Sequence, residues 1–256
     1  MTDVATATLN RPAWIDLAAK DAAAERLFYV RLFDWDIEVN PDPQYGGYAI
    51  ARIDGDDVAG IGPAMSPGQP TAWSLYIGSD DLGGLSKRIT DAGGTVVMAP
   101  FDVGDQGRMA AYQDPSGAFI SAWHGTRMGG FQTQGPNSFG WAEVNAHGVE
   151  KVVPFYQQVF GWAPKTSGSG RDAYTEFLID GESTLGATEM SPAFPASVPS
   201  HWLIYFTVDD VDAAHKKAIE AGASELVAPM DFSFGRMSIV SDPEGAVFGL
   251  LTLAPS

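Results

Sequence analysis

WIDLAAKDAAAERLFYVRLFDW, Trp14 to Trp35, is written a second time as WAEVNAHGVEKVVPFYQQVFGW, Trp141 to Trp162. Trp14, Phe28 and Trp35 recur as Trp141, Phe155 and Trp162, each at an offset of 127 (141 − 14, 155 − 28, 162 − 35). Further along, WSLYIGSDD from Trp73 matches WLIYFTVDD from Trp202, and GRMAAYQDPSGAF from Gly107 matches GRMSIVSDPEGAV from Gly235. Anchors that keep their order with so little drift mark two homologous modules. The expected boundaries are 1–124 and 139–256, joined by GTRMGGFQTQGPNS at 125–138, whose Gly, Pro and polar residues suit a linker.

Each module divides again. A strand from Trp14 to Leu17 leads to a helix with Asp21 as N-cap and an apolar face through Leu27, Phe28 and Leu32. Strands follow at about Tyr48 to Ile53 and Val58 to Met65. The second half opens with a strand from Trp73 to Ile77. An Asp80/Asp81 cap, a helix through Leu82, Leu85 and Ile89, and a closing Gly93-Gly94 come next, then strands up to Trp123. Asp114-Pro-Ser-Gly117 and its repeat Asp242-Pro-Glu-Gly245 are turns between the last two strands. The unit is strand–helix–strand–strand–strand, four times over, and the class is α+β.

With 256 residues, 45% of them hydrophobic, the chain can bury two cores. Its 32 acidic against 15 basic residues give a formal charge of −17, which repels phosphate backbones and anionic lipid. Neither nucleic acid nor a membrane is an expected partner. The start, MTDVATATLNRP, has no signal-peptide pattern, so the cytoplasm is the expected compartment. The absence of cysteine excludes disulfides, thiolate catalysis and Cys-based metal sites.

The doubled FY…LFDW and FY…VFGW helix, the S-D-D and V-D-D caps, and the DPxGA turns resemble the vicinal oxygen chelate superfamily. That superfamily includes glyoxalase I, bleomycin-resistance proteins and extradiol dioxygenases. The likeness spans about Ala13 to Leu253, and is closest to an actinobacterial two-module branch labelled glyoxalase-like or hydroxylase. It implies paired units whose sheets curl into a cup, with inward side chains acting on a ligand. It also implies metal-ligand posts at the first and last strands of each unit. Here those posts hold Trp14, Ser74, Ser121, Trp141, Leu203 and Gly249. None is a usual ligand for zinc, iron or manganese. No metal and no other cofactor is expected.

Alternation along the first strand puts Asp16 on the face of Trp14 and Glu143 on that of Trp141. A carboxylate beside an indole is partly desolvated and suited to proton transfer; alternatively each acid is bonded to backbone or an arginine. By the same parity Tyr76, Tyr205, Phe119 and Trp123 line the cups, which suits a flat hydrophobic ligand. Arg108 and Arg236 could clamp an anionic group, or pair with Asp102 and Asp231. His201, at a cup mouth, is a further acid–base candidate, alongside the two carboxylates.

Three readings of function remain. One is a metal-independent enzyme of secondary metabolism, an oxidoreductase or a lyase or isomerase, acting on a flat aromatic small molecule. Another is a protein that sequesters such a compound. The third, a metal-dependent glyoxalase or dioxygenase, lacks its ligands. One chain supplies four units, so a monomer is expected to suffice, with a homodimer also open.

Overall fold

The computed structural model describes residues 9–128, 131–133, 135–192, 194–195 and 197–254. Most of the N-terminal stretch and three linker residues, Gly129, Gly130 and Gln134, lie outside the described residues. The chain runs β1 (Pro12–Ala19), α1 (Ala22–Phe33), β2 (Asp36–Val39), β3 (Ala49–Ile53), β4 (Asp56–Pro63), β5 (Ala72–Gly78), α2 (Leu82–Asp91), β6 (Thr95–Val103), β7 (Gly107–Gln113) and β8 (Phe119–Gly125). The second module repeats it as β9 (Phe139–Ala146), α3 (Val149–Phe160), β10 (Ala163–Ser167), β11 (Tyr174–Ile179), β12 (Glu182–Glu189), β13 (His201–Thr207), α4 (Val211–Glu220), β14 (Ser224–Phe232), β15 (Gly235–Ser241) and β16 (Val247–Leu253).

The strand orders are β2-β3-β4-β1-β5-β8-β7-β6 and β10-β11-β12-β9-β13-β16-β15-β14. Adding eight to each label of the first gives the second. Both sheets are mixed: β1 runs parallel to β4 and β5 to β8, while the outer strands are antiparallel hairpins. The fold is therefore α+β, with four βαβββ units in tandem. β2 and β10 supply the strand directly after the first helix of each module, for which the sequence analysis gives no residue range.

Helix starts follow capping chemistry. Asp21 accepts from the N–H groups of Ala23 and Ala24, Asp81 from Gly84, and Asp210 from Ala213. The expected apolar face of α1 needs correction at Leu27, which is 60% exposed. The buried residues are Glu25, Phe28, Tyr29, Leu32 and Phe33. Phe28 with Leu32 and Tyr29 with Phe33 form i,i+4 pairs that fix the buried stripe, and Leu27 falls on its flank.

Two compact units cut across the modules, one of residues 1–14, 75–130 and 142–203, the other of 15–74, 131–141 and 204–256. In the latter, Tyr29 of α1 donates to Asp242 at 3.0 Å and Trp73 Nε1 donates to the Tyr29 hydroxyl at 2.9 Å. Phe33, Trp35, Phe206 and Phe248 pack around that pair. In the former unit, Tyr156 of α3 donates to Asp114 at 3.0 Å, and Trp202 donates to Tyr156 at 2.9 Å. The aspartates also take N–H groups of their own turns, Ser116 and Ala118 in one case, Glu244 and Ala246 in the other. The DPxG aspartate thus closes a turn and anchors a buried tyrosine from a remote repeat.

Candidate functional site

Parallel pairing of β1 with β4 sets Asp16 beside Gly60 and Ala18 beside Gly62. Tyr48, immediately before β3, lays its ring on both glycines. A Cβ at Gly60 would overlap the Tyr48 hydroxyl, and one at Gly62 would crowd the ring edge. Only glycine leaves that room. The Tyr48 hydroxyl then donates to Asp16 Oδ2 at 3.4 Å.

The second module builds the same device. Pairing of β9 with β12 sets Glu143 beside Gly186 and Asn145 beside Thr188. The Tyr174 hydroxyl lies where a Cβ of Gly186 would be, and donates to Glu143 Oε2 at 2.8 Å. Both carboxylates are partly buried. A phenol that donates to a carboxylate fixes its orientation.

The remaining sequence candidates are placed as follows. Trp14 is buried and Trp141 half-buried. Tyr76 and Ser121 are buried neighbours in the β5–β8 register. Trp123 is buried and donates to the Met128 carbonyl at 3.0 Å. Tyr205 lies against Gly249, where an added Cβ would overlap its ring. Leu203 is buried and Ser74 half-buried. Phe119, the first residue of β8 and close after the turn, is 59% exposed.

Arg108 pairs with Asp102 at 2.8 Å. Arg236 grips Asp212 through two nitrogens, at 2.6 and 2.8 Å, and Asp231 at 2.8 Å. Each guanidinium therefore already has carboxylate partners. His201 Nδ1 lies 2.9 Å from the Pro199 carbonyl. Tyr48 and Tyr174 are site residues that the sequence analysis does not single out. Their signal was present, since Tyr48/Gly60 and Tyr174/Gly186 recur at one offset, 126 (174 − 48, 186 − 60).

A transition metal does not fit the posts that the family uses. Indoles, a leucine, a glycine and two serines offer no imidazole, carboxylate or thiolate donors. Among the described residues no three His, Asp or Glu side chains converge elsewhere as a metal-binding group.

The model of the Glyoxalase/Bleomycin resistance protein/Dioxygenase superfamily matches residues 11–121 and 138–250. The protein named "Putative glyoxylase CFP32" of Mycobacterium tuberculosis is 36% identical over 95% of both chains. Anthracycline biosynthesis protein DnrV of Streptomyces peucetius is 35% identical, covering 94% of this chain and 93% of its own. Among solved structures, the Mn(II)-bound glyoxalase from Novosphingobium aromaticivorans superposes with a TM-score of 0.65 at 16% identity, over 95% of this chain and 82% of that one. The 2,3-dioxygenase LapB from Pseudomonas sp. KL28 gives 0.65 at 14% identity, over 96% and 93%. At such identities the structural likeness concerns the fold alone.

Proposed function

The chain belongs to the Glyoxalase/bleomycin resistance protein/dioxygenase superfamily, and within it we propose a metal-independent protein that acts on a flat, polycyclic aromatic small molecule by proton transfer. The observation that carries this reading is the carboxylate–tyrosine pair built twice on a strand glycine, Asp16/Tyr48/Gly60 and Glu143/Tyr174/Gly186. In both modules the glycine makes room for the tyrosine to reach the carboxylate, and a proton acceptor is most effective when it is held in one orientation. The substrate class is supported by the aromatic residues expected around those strands and by relatives named for anthracycline biosynthesis.

In the mechanism that follows from the geometry, the carboxylate takes a proton from a ring hydroxyl or an adjacent carbon, and the tyrosine holds the carboxylate in place. The near-isosteric variants Asp16→Asn and Glu143→Gln test it, assayed for affinity and turnover on polycyclic quinones and phenols. A parent that turns over and a variant slowed by ~10²–10⁴-fold with affinity retained is the expected result. A parent that binds tightly and converts nothing identifies a sequestering protein instead. Elemental analysis of protein purified without chelator should find far less than one transition metal per chain. Stoichiometric zinc, iron or manganese would defeat metal independence.

A further inference from the structure

Asn145 follows Glu143 by two residues on β9, so the two side chains share a face of that strand. Its register partner Thr188 is also the partner of Tyr174, so Asn145, Thr188 and Tyr174 form one row across β9, β12 and β11. The adjoining row is Glu143 and Gly186, which Tyr174 overlies to reach the carboxylate. Asn145 is only 7% exposed, and its Nδ2 has no hydrogen-bond partner among the described residues. A buried amide donor without an acceptor is a costly arrangement that few native sites keep without reason. Among the described residues, the other buried atoms of this kind lie on α1, α4 and β15, none of which carries a site carboxylate.

The corresponding row in the first module contains Ala18 and Gly62, with Tyr48 lying against Gly62. Neither Ala18 nor Gly62 offers a side-chain donor. The two sites thus share a carboxylate and a phenol, and differ by one amide and one hydroxyl.

We propose that Asn145 donates a hydrogen bond to a ring carbonyl or phenolate oxygen of the ligand held beside Glu143, and so makes the second module's site select oxygenated rings. The first module's site, with Ala18 in that place, accepts the bare ring system equally well. This inference rests on the reading of the carboxylate–tyrosine pairs as ligand sites.

A matched pair of soluble probes isolates the effect: anthraquinone-2-sulfonate and anthracene-2-sulfonate share shape and charge and differ in the two ring carbonyls. Titration calorimetry on the full chain should show one class of site that prefers the quinone by about three- to tenfold, the worth of one neutral hydrogen bond. Asn145→Ala should bring that preference to within about twofold of unity by weakening quinone binding. Asn145→Leu, which keeps the volume without the amide, should do the same and guards against a cavity effect. Glu143→Gln and Tyr174→Phe should alter both probes together. A folded Asn145 variant that keeps the quinone preference overturns the inference, as does a parent that binds both probes equally. A parent that binds neither probe overturns the proposed function, and this inference with it.

Discussion

The two DPxG turns look interchangeable in outline and differ in charge. Asp114 and Asp242 each accept a buried tyrosine at 3.0 Å, and each tyrosine takes an indole N–H at 2.9 Å. The helix and turn positions that hold Glu25 and Glu244 in the repeat of Asp242's unit hold Val152 and Ser116 in that of Asp114's. Glu25 is 1% exposed and lies beside Asp242. Burial first, and then the charge of Asp242, push its pKa to about 8. Burial likewise raises Asp242 above the ordinary range. Glu244 goes the other way: burial opposes it, but the Thr71 hydroxyl and the N–H groups of Asp21 and Lys20 hold it low. The tyrosine–aspartate–tryptophan relay is therefore common scaffold, and the unit around Asp242 adds a carboxyl group whose ionisation burial opposes.

The largest consequence is expected at the aspartates. Asp114→Ala leaves the Tyr156 hydroxyl and the N–H groups of Ser116 and Ala118 without their acceptor, a loss of about 3–5 kcal/mol from several buried hydrogen bonds. Asp242→Ala removes equivalent bonds but also the charge that opposes ionisation of Glu25, so its cost should be smaller at pH 9 than that of Asp114→Ala. Urea unfolding of both variants measures the difference. Equal losses at pH 9 would show that Glu25 does not feel Asp242.

Glu25 itself gives the next effect, with a definite sign. Its pKa is about 8 in the folded chain against 4.5 ordinarily, so the folded state holds the proton more tightly than the unfolded one. Stability from this group is full below about pH 4.5, falls as pH rises towards 8, and is flat beyond. At ~1.4 kcal/mol per pKa unit the total is several kcal/mol. Glu25→Val, which copies Val152, should leave stability less dependent on pH between 5 and 8 and raise it at pH 9. Val152→Glu should confer a similar slope on the other unit. Parallel pH profiles for parent and Glu25→Val would break the comparison.

Much of this was legible in the sequence. The 127-residue repeat identified the modules, and period-two alternation placed Asp16 and Glu143 on the faces of Trp14 and Trp141. The relay was not readable, because Tyr29 meets Asp242 from 213 residues away, and nothing in either repeat says that remote repeats share a core. Tyr48 and Tyr174 sit at strand starts, where alternation alone does not fix a direction, and only the glycines beneath them reveal it. Leu27 fits a helical apolar period yet lies off the stripe chosen by the aromatic core.

The smallest effect expected separates the two carboxylate–tyrosine pairs. Tyr174 donates to Glu143 at 2.8 Å, within the range of a strong hydrogen bond to a charged acceptor, whereas Tyr48 reaches Asp16 at 3.4 Å, near the limit for one. Removing each hydroxyl leaves the ring packed on its glycine, so lost packing contributes little in either case. Tyr174→Phe should then cost ~1–2 kcal/mol of folding stability, and Tyr48→Phe less than ~0.5 kcal/mol. Paired denaturation curves at pH 7 resolve such a gap. The same two variants sharpen the functional comparison, because Glu143 should lose more of its fixed orientation than Asp16, and turnover carried by the second module should fall further than turnover carried by the first. If Tyr48→Phe proves the costlier change on both measures, the first module holds the tighter pair and the ranking of the two sites reverses.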